Sequence, residues 1–312
     1  MNFTSLDYFI ALSQERSFTK AAARLHVTQQ TLSAHISQLE KEMDCKLVVR
    51  QIPLELTWAG RVFYNHALLI RKNADTMRKE ISDAAEEVTG VLRLGISPNR
   101  GHAILPNILT AYTKKYPGIH VELTEGINLV LTKKLLDGDI DLTIAYFKED
   151  MPGVTQEKFY TEEIILLVSK KLLKAIGKEK ELPVLKSRKA GCMKPLADCP
   201  FLQTGGGTVQ GRLALRLFAE ADMNPPVIVL SDNLELLIEL CAKGVGALLC
   251  PENQARRNLS AEELEGMHII RLAHSQRQIS FGYRKELRQW KPMANFISLA
   301  ERVLSRQMDG IG

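Results

Sequence analysis

The sequence predicts an α/β protein in three parts: a helical amino-terminal domain, one long helix and a carboxy-terminal domain of two subdomains. Three observations lead to this fold class. Residues 17–50 have the pattern of a helix, a tight turn and a second helix, and apolar residues then recur at intervals of four and three up to residue 88. Beyond residue 90, β-rich runs alternate with helical segments. We therefore predict domains at residues 1–60, 61–89 and 90–312.

The composition is that of a globular protein with more than one hydrophobic core, because the chain has 312 residues of which 45% are apolar. Its longest apolar runs, 164–168 and 245–250, are too short to cross a bilayer, and its first residues lack the features of a secretory signal. The five cysteines are odd in number and form no CxxC pair, which fits reduced thiols. We expect a soluble cytoplasmic protein without membrane contact.

The net charge of +5 is not concentrated at the amino terminus. Residues 1–89 hold 11 Lys and Arg and also 11 Asp and Glu, so the rest of the chain carries the whole excess. General attraction to a polyanion is therefore no argument for nucleic-acid binding by the first domain. Such an interpretation depends on the local pattern of side chains.

Residues 17–50 contain the signals of two consecutive helices. Ser17 is suited to cap a helix that carries the small residues Ala21 and Ala22, and Thr28 is suited to cap the next helix after a turn at 26–27. The second of these helices has four apolar residues at helical spacing, which predict its buried stripe: Leu32, Ile36, Leu39 and Met43.

The remaining face of that helix is polar but hardly charged, which suits the reading of base edges. One helix fits into the major groove of DNA, where Gln bonds adenine at two points and Ser or Thr bonds several bases. The candidate base contacts are Thr28, Gln29, Gln30, Thr31, Ser33 and Ser37. The candidate phosphate contacts are Lys20, Arg24, Arg50 and Thr57. A solvated polar face is the alternative interpretation of the same helix.

The connecting segment 59–88 predicts a long helix that pairs with a second copy. After Gly60 it contains neither Gly nor Pro, and at about 1.5 Å per residue it would be roughly 45 Å long. Its seam consists of Phe63, Ala67, Ile70, Ala74, Met77, Ile81, Ala84 and Val88. A seam of this length indicates a coiled coil, with Phe63, Ile70, Met77 and Ile81 as candidate dimerisation contacts. Packing of the seam against its own chain is the alternative.

The carboxy-terminal part reads as two βαβ-type units. Strands are predicted at 91–97, 120–126, 141–147, 201–204, 226–231 and 244–250, with helices between them, the first of which starts at about residue 102. Two further strands, 164–168 and 268–272, separate the units. This order predicts two subdomains between which the chain crosses twice.

The predicted strand ends mark a candidate ligand site. In open α/β sheets, ligands bind beyond the carboxyl ends of the strands, where helix N-termini offer free N–H groups. The candidate residues there are Ser97, Asn99, Arg100, Asn128, Tyr146, Thr204, Gly205 and Thr208. Arg100 could bind a carboxylate or sulfate with two parallel hydrogen bonds, so a small anionic ligand is expected. A surface ion pair at Arg100 and a flexible turn at the glycines 205–207 are the alternatives.

No pattern of catalysis is present in the sequence. The seven His are scattered, HExxH and GxSxG do not occur, and there is neither a P-loop nor a GxGxxG after a strand. We predict no metal, no cofactor and no enzymatic activity. Cys192 and Cys199 fall in one predicted loop, where a redox switch is conceivable, although Lys194 is the only evident neighbour that could activate a thiol.

The spacing of one set of residues in the first domain resembles the winged helix-turn-helix of LysR-type transcriptional regulators. These residues are Leu6, Phe9, Ser17, Phe18, Ala21, Ala22, Leu25, Thr28, Gln29, Ser33, Ile36, Leu39, Glu40, Leu47, Arg50, Leu56, Thr57 and Gly60. Leu135-Leu136-x-Gly-x-Ile-Asp-Leu, and Gly244-Val245-Gly246 followed by Pro251, resemble the regulatory domain of the same family. That domain is similar to periplasmic binding proteins.

The resemblance implies a sequence-specific transcriptional regulator that binds double-stranded DNA at an inverted-repeat operator. It also implies a homodimer or homotetramer that is switched by a small-molecule effector held between the two subdomains. The chain departs from the family pattern at Gln30, Asp44 and Val48, where Pro, Gly and Phe are usual, and its wing, residues 51–56, contains no Lys or Arg. The neutral head and uncharged wing leave an alternative class, an α/β solute-binding or enzymatic protein whose helical head does not bind DNA.

Overall fold

Residues 2–84 form four helices and a small antiparallel hairpin. The computed structural model describes residues 2–84, 89–148, 150–189, 191–287 and 290–309, and the chain divides into the units Met1–Glu87 and Val88–Gly312. The elements of the first unit are α1 (Phe3–Glu15), α2 (Phe18–Arg24), α3 (Gln29–Glu42), β1 (Val48–Val49), β2 (Glu55–Leu56) and α4 (Trp58–Ala84).

N-capping side chains set where α2 and α3 begin, as the sequence predicts. The Ser17 side chain accepts a hydrogen bond from the Lys20 amide, and the Thr28 side chain accepts one from the Thr31 amide. These bonds satisfy amide groups that a helix start leaves without a partner in the helix. Thr28 thereby fixes where the polar face of α3 begins.

The core of the first unit confirms three of the four stripe residues on α3. Leu32, Ile36 and Leu39 are buried against α1 and α2. Met43 was wrongly predicted to be buried: α3 ends at Glu42, so Met43 lies at the C-cap with 36% of its surface exposed. Because the helix ends one residue earlier, the Met43 side chain does not continue the buried stripe into the core.

Buried Glu40 joins α3 to the hairpin. Its carboxylate accepts hydrogen bonds from the amides of Leu47 (2.9 Å) and Val48 (3.3 Å) and from the Lys46 side chain (2.9 Å). Burial raises the pKa of Glu40, but these hydrogen bonds outweigh burial and hold the pKa below its ordinary value. The charged carboxylate therefore stabilises the turn that leads from α3 into the wing.

The predicted seam on α4 is divided between two environments. Phe63 packs edge-on against Phe9, with ring centroids 4.9 Å apart, and Ala67 is buried beside Leu6 and Ile10. Phe63 is therefore also part of the core of its own unit, which corrects its assignment as a contact between copies alone. The remaining candidate contacts on α4 are exposed: Ile70, Met77 and Ile81. Val88 lies outside the described residues.

The second unit contains one eight-stranded sheet in the order β4-β3-β5-β10-β6-β9-β7-β8 within the described residues. The strands are β3 (Gly90–Ile96), β4 (Ile119–Glu125), β5 (Leu142–Tyr146), β6 (Val154–Ser169), β7 (Phe201–Gln203), β8 (Val227–Leu230), β9 (Ala247–Pro251) and β10 (Met267–Arg284). The helices are α5 (Pro98–Lys115), α6 (Asn128–Asp137), α7 (Lys170–Ala175), α8 (Leu182–Leu185), α9 (Val209–Glu220), α10 (Leu234–Ala242), α11 (Glu252–Asn258), α12 (Ala261–Glu265) and α13 (Lys291–Asp309).

Two long antiparallel strands connect the halves of this sheet. Strands β6 and β10 are 16 and 18 residues long, whereas the sequence predicted only the short apolar segments 164–168 and 268–272. The remaining parts of both strands carry charged and polar side chains, so a search for apolar runs does not detect them. On one side β3, β4 and β5 run parallel, and on the other β7, β8 and β9 do. The predicted division into two subdomains is thereby confirmed.

Each half of the sheet has its own helical layers and core. In the first half, Ile96, Ile104, Tyr112 and Phe296 pack between the sheet, α5 and α13. In the second half, one core lies under α9 and another under α10 and α11. Helix α5 begins at Pro98, earlier than predicted, because Pro is favoured in the first turn of a helix. Asn99 and Arg100 therefore lie on a helix and not in a loop.

Candidate nucleic-acid interface and ligand cleft

The start of α3 presents an exposed polar face. Gln29, Gln30 and Thr31 are exposed, whereas the Thr28 hydroxyl is partly used by the cap and lies 2.8 Å from that of Thr31. The Thr19 hydroxyl donates a hydrogen bond to the Gln29 side-chain oxygen, at 3.3 Å. The two glutamine amides thus project from the first turn of a helix, the position from which helix-turn-helix proteins contact bases.

Arg50 lies across the second part of this face. Its Nη2 donates to the Ser37 hydroxyl at 3.0 Å, its Nη1 donates to the Ser33 hydroxyl at 3.4 Å, and its guanidinium lies 5.3 Å from the Phe18 ring centroid. The structure thus brings Arg50 together with two of the candidate base contacts. A phosphate that bonded Arg50 would free both hydroxyls.

The other candidate phosphate contacts differ in whether their side chains already have a partner. Lys20 is exposed, and the structure shows no hydrogen bond or ion pair from its side chain within the described residues. Arg24 is exposed but bonded to Gln14 (2.7 Å) and Glu15 (3.2 Å). Thr57 donates to the Lys46 carbonyl at 2.7 Å and accepts from the Gly60 amide at 2.9 Å, so it caps α4. A structural role therefore accounts for Thr57 in this state.

The candidate ligand residues lie at the carboxyl ends of strands in both halves of the sheet. Ser97 precedes α5, and Asn128 at the start of α6 donates to the Tyr146 carbonyl at 2.8 Å. Opposite them, the hydroxyls of Thr204 and Thr208 are 2.7 Å apart, and the Gly205 amide donates to Asp232 Oδ1 at 3.0 Å. We call the space between these strand ends the cleft.

The two halves of the second unit touch each other beside the cleft. The Asn99 carbonyl accepts from Gln254 Nε2 at 2.6 Å, and the Asn99 side chain donates to the Asp232 carbonyl at 3.5 Å. His102 contacts both Glu235 and Arg257. All these bonds join the start of α5 either to α11 or to the start of α10 and the segment just before it. They therefore hold the halves together along one side of the cleft.

Arg100 does not have the free guanidinium that the sequence predicted. It is 4% exposed, and its Nη2 is 3.2 Å from Glu162 Oε2 while Nη1 is 3.3 Å from the Ser97 hydroxyl. Burial lowers the pKa of Arg100, but the Glu162 carboxylate outweighs burial and raises the pKa above its ordinary value. The expectation of an uncompensated anion-binding group at Arg100 is thus corrected, since Glu162 already balances its charge.

Arg277, which sequence reasoning missed, lies beside Tyr146 at the end of β5. It is 9% exposed, its guanidinium is 5.5 Å from the Tyr146 ring centroid, and its Nη1 donates to the carbonyls of Gln276 (2.7 Å) and His274 (2.9 Å). Burial, with a smaller contribution from Arg216, lowers the pKa of Arg277. The sequence predicted that this strand ends at residue 272, whereas β10 continues to Arg284. The sequence therefore did not indicate that Arg277 lies beside the end of β5.

The cysteines offer no reactive thiol in the candidate loop. Cys192 and Cys199 are both buried, and burial raises the pKa of Cys199 to about 11 and also raises the pKa of Cys192. Thiolates are the reactive form, so both groups are poor nucleophiles at neutral pH. Across the described ranges, no three His, Cys, Asp or Glu side chains are placed to hold a metal ion. No helix in these ranges is long and apolar enough to cross a membrane.

Two family models match the chain and cover both units. The bacterial regulatory helix-turn-helix protein of the LysR family matches residues 3–61, and the LysR substrate binding domain matches residues 85–305. The second match alone spans more than half of the chain. The protein belongs to the LysR family of bacterial transcriptional regulators, and the predicted class, a transcriptional regulator with an effector-binding domain, is confirmed.

Curated relatives cover most of the chain at low identity. The regulator IlvY of Escherichia coli (strain K12) is 27% identical over 257 residues, which are 81% of this chain and 82% of IlvY. The nitrogen assimilation regulatory protein Nac of Klebsiella aerogenes is 25% identical over 258 residues, which are 82% of this chain and 80% of Nac. Such identities support a shared family and do not identify a shared ligand.

Solved structures confirm the fold class. The chain is similar to a full-length OxyR variant from Pseudomonas aeruginosa with a TM-score of 0.67 at 20% identity, covering 97% of this chain and 94% of that one. It is also similar to CbnR, a LysR family transcriptional regulator, with a TM-score of 0.59 at 23% identity, covering 97% and 99% of the two chains. At these identities the similarity shows the fold alone.

Proposed function

We propose that this regulator reads an inverted-repeat operator in double-stranded DNA with the exposed face of α3 and responds to a small anionic effector in the cleft. The observation that carries the first half is the arrangement at the start of α3. There Gln29 and Gln30 are exposed in the first turn, next to hydroxyls that Arg50 holds in place. An uncharged reading face gives selectivity through hydrogen bonds to bases.

Reading of DNA would involve an exchange of partners. Gln29 or Gln30 bonds the edge of an adenine, and Thr31 contacts the neighbouring base. Arg50 moves from Ser33 and Ser37 to a backbone phosphate, which leaves both hydroxyls free for bases. Lys20 and Arg24 provide further phosphate contacts, the latter after release from Glu15.

Pairing of two heads would supply the rest of the affinity. Each head carries as many acidic as basic residues up to residue 89, so one copy makes few favourable phosphate contacts. Ile70, Met77 and Ile81 are exposed on one face of α4 and support a homodimer, from which a homotetramer can assemble. Two linked heads bind an inverted repeat far more tightly than one head does. A relative in fold, CbnR, is described in a complex with its target DNA, which agrees with this role.

The cleft would act as the switch. A ligand that bridges the strand ends of both halves favours one arrangement of the two subdomains, and it can shift an equilibrium only by its difference in affinity for the two arrangements. The candidate contacts are Ser97, Asn99, Asn128, Tyr146, Thr204, Gly205 and Thr208. This mode of action needs neither catalysis nor a cofactor, and it takes place where the genome is, in the cytoplasm.

The test of the reading face starts with selection of binding sites from random double-stranded DNA with the wild-type protein. The double variant Gln29→Ala/Ser33→Ala should then bind the selected site at least about 10-fold more weakly, because each good base contact contributes about 1–3 kcal/mol. Gln38→Ala is the matched control, since Gln38 is exposed on the same helix and bonds only Glu42. Equal affinity of the double variant and the control, with unchanged circular dichroism, would show that α3 does not read the site through this face.

A further inference from the structure

Three charged side chains, here called the cluster, belong to one face of the sheet where β6 and β10 pair: Glu162, Arg277 and Arg100. Glu162 on β6 and Arg277 on β10 are directly opposite in the antiparallel register, so both side chains point to the same face. Arg100 reaches this place from α5 and pairs with Glu162. The Tyr160 hydroxyl lies 3.4 Å from Glu162 Oε1 and completes the surroundings of the carboxylate.

This cluster has one positive charge more than its acidic groups balance. Glu162 is the one carboxylate in it, and its ion pair is with Arg100, while Arg277 forms no ion pair with any carboxylate among the described residues. Arg216, the other cation near Arg277, is 3.4 Å from Glu220 and so has its own partner. A buried charge without a counter-charge is costly, and buried charges are usually paired with an opposite charge.

The free side of Arg277 is suited to a carboxylate. Nη1 is used by the carbonyls of His274 and Gln276, whereas Nε and Nη2 make no hydrogen bond to any described residue. These two nitrogens form the edge of the guanidinium that binds a carboxylate through two parallel hydrogen bonds. The Tyr146 ring lies against the guanidinium and restricts its orientation.

Arg277 also lies at the correct place for a ligand of the cleft. Tyr146 is the last residue of β5, one of the strand ends that border the cleft, and Asn128 fixes its carbonyl. Ile279 is opposite Tyr146 in the register, and Arg277 lies two residues further along β10 on the same face. The guanidinium therefore lies next to the end of β5, one of the strand ends that border the cleft.

We propose that Arg277 is the anion receptor of this cleft and that the effector carries a carboxylate that binds Nε and Nη2 of Arg277. A carboxylate there supplies the counter-charge that Arg277 does not have among the described residues. This inference rests on the proposed effector role of the cleft.

The test is thermal unfolding of the full-length protein in sodium acetate and in sodium benzoate, each compared with sodium chloride at equal ionic strength. Acetamide and benzamide are the neutral probes of matched shape. At least one carboxylate should raise the Tm of the wild type by a few degrees, increasing with concentration, because a ligand stabilises the folded state that binds it. The matched amide should leave the Tm within about 0.5 °C.

The variants separate Arg277 from its neighbours. Arg277→Met should abolish the carboxylate-induced shift, and Arg277→Lys, which keeps the charge but not the two-nitrogen edge, should retain a reduced one. Arg271→Gln is the control on the same strand, because Arg271 is exposed and already paired with Glu163 and Glu252; its shift should equal that of the wild type.

Two results would overturn the inference: no carboxylate-specific shift in the wild type, or a full shift in Arg277→Met. The selection of DNA sites distinguishes this failure from failure of the proposed function. A wild type that selects a DNA site but shows no carboxylate shift is a regulator with a different effector chemistry. A wild type that shows the shift but selects no site has a carboxylate receptor and lacks the proposed regulatory role.

Discussion

At the scale of single residues, function in this chain depends on which charges already have a partner. Arg50 is bonded to two serine hydroxyls that it can release, Arg100 is balanced by Glu162, and Arg277 is buried without an acidic partner in the described structure. Three arginines with the same side-chain chemistry thus differ in their capacity to bind an external anion. The difference lies in the distance to the nearest carboxylate and in the degree of burial.

Glu40 is expected to stabilise the head through its charge. Glu40→Gln should lower the free energy of unfolding by about 1–3 kcal/mol at pH 7, because a buried carboxylate that accepts three hydrogen bonds is lost. Its pKa is lowered in the folded state, so its contribution is fully present above its ordinary value of 4.5 and is lost as the pH falls through the lower folded value. Urea unfolding at pH 7 and pH 4 measures this, with exposed Glu55→Gln as the control. A variant as stable as the control at pH 7 would contradict this role.

The five thiols are expected to react at two very different rates. Cys45 is exposed, whereas Cys192, Cys199, Cys241 and Cys250 are buried. In the native protein one thiol should react rapidly with a disulfide reagent such as dithionitrobenzoate, and all five should react after denaturation. Cys45→Ser should remove the rapid phase. Rapid reaction of two or more thiols in the native Cys45→Ser variant would contradict this expectation and would support a redox switch at Cys192 and Cys199.

At the scale of elements, α4 has two functions along its length. Its first turns complete the core of the head through Phe63 and Ala67, and its later turns present apolar side chains to solvent. Ile81 is 64% exposed, which is more than a side chain of this kind usually is in a helix that packs on its own chain. The head and the proposed pairing surface therefore share one continuous helix.

Met77→Glu is expected to weaken pairing without unfolding the head. A charge placed in the seam of a coiled coil would be buried on association, so the dissociation constant of the dimer should rise at least about 10-fold. Sedimentation equilibrium measures this change. Asn65→Glu is the matched control, because Asn65 is exposed on the opposite face of α4. Equal association of both variants would mean that the seam is covered by something other than a second α4.

At the scale of the whole second unit, a few polar contacts hold the two halves together beside the cleft. Gln254 is buried, and its side-chain amide donates to the Asn99 carbonyl at 2.6 Å. Its backbone carbonyl accepts a hydrogen bond from the Asn258 side chain. Each half has a separate core, so the bonds between them can break without unfolding either half. A ligand in the cleft can thus act on a balance that a few hydrogen bonds determine.

Gln254→Ala is expected to loosen this side of the cleft. Amide hydrogen exchange at the starts of α5 and α10 should become about 3–10-fold faster, as for the loss of about one hydrogen bond, while exchange in the strand cores remains unchanged. Asn253→Ala is the control, since Asn253 is exposed next to Gln254. Unchanged exchange at both helix starts would show that this contact does not hold the halves together.

Local sequence was sufficient to predict the features that depend on neighbouring residues. Ser17 and Thr28 cap helices whether or not the rest of the chain is known, and the alternation of strands and helices after residue 90 sufficed to predict two α/β subdomains. These features arise from local hydrogen bonds and from the period of apolar residues. The spacing of residues in the head was also enough to indicate the family.

Which of the charged side chains have a counter-charge depends on long-range contacts made in the folded chain. Glu162 lies 62 residues from Arg100, and the contact between Arg277 and Tyr146 depends on the pairing of β10 with β5. The polar parts of β6 and β10 have no apolar pattern, so their register, and with it the position of Arg277, could not be predicted from local sequence. A guanidinium is a ligand site or part of an ion pair according to the long-range partner that folding brings to it.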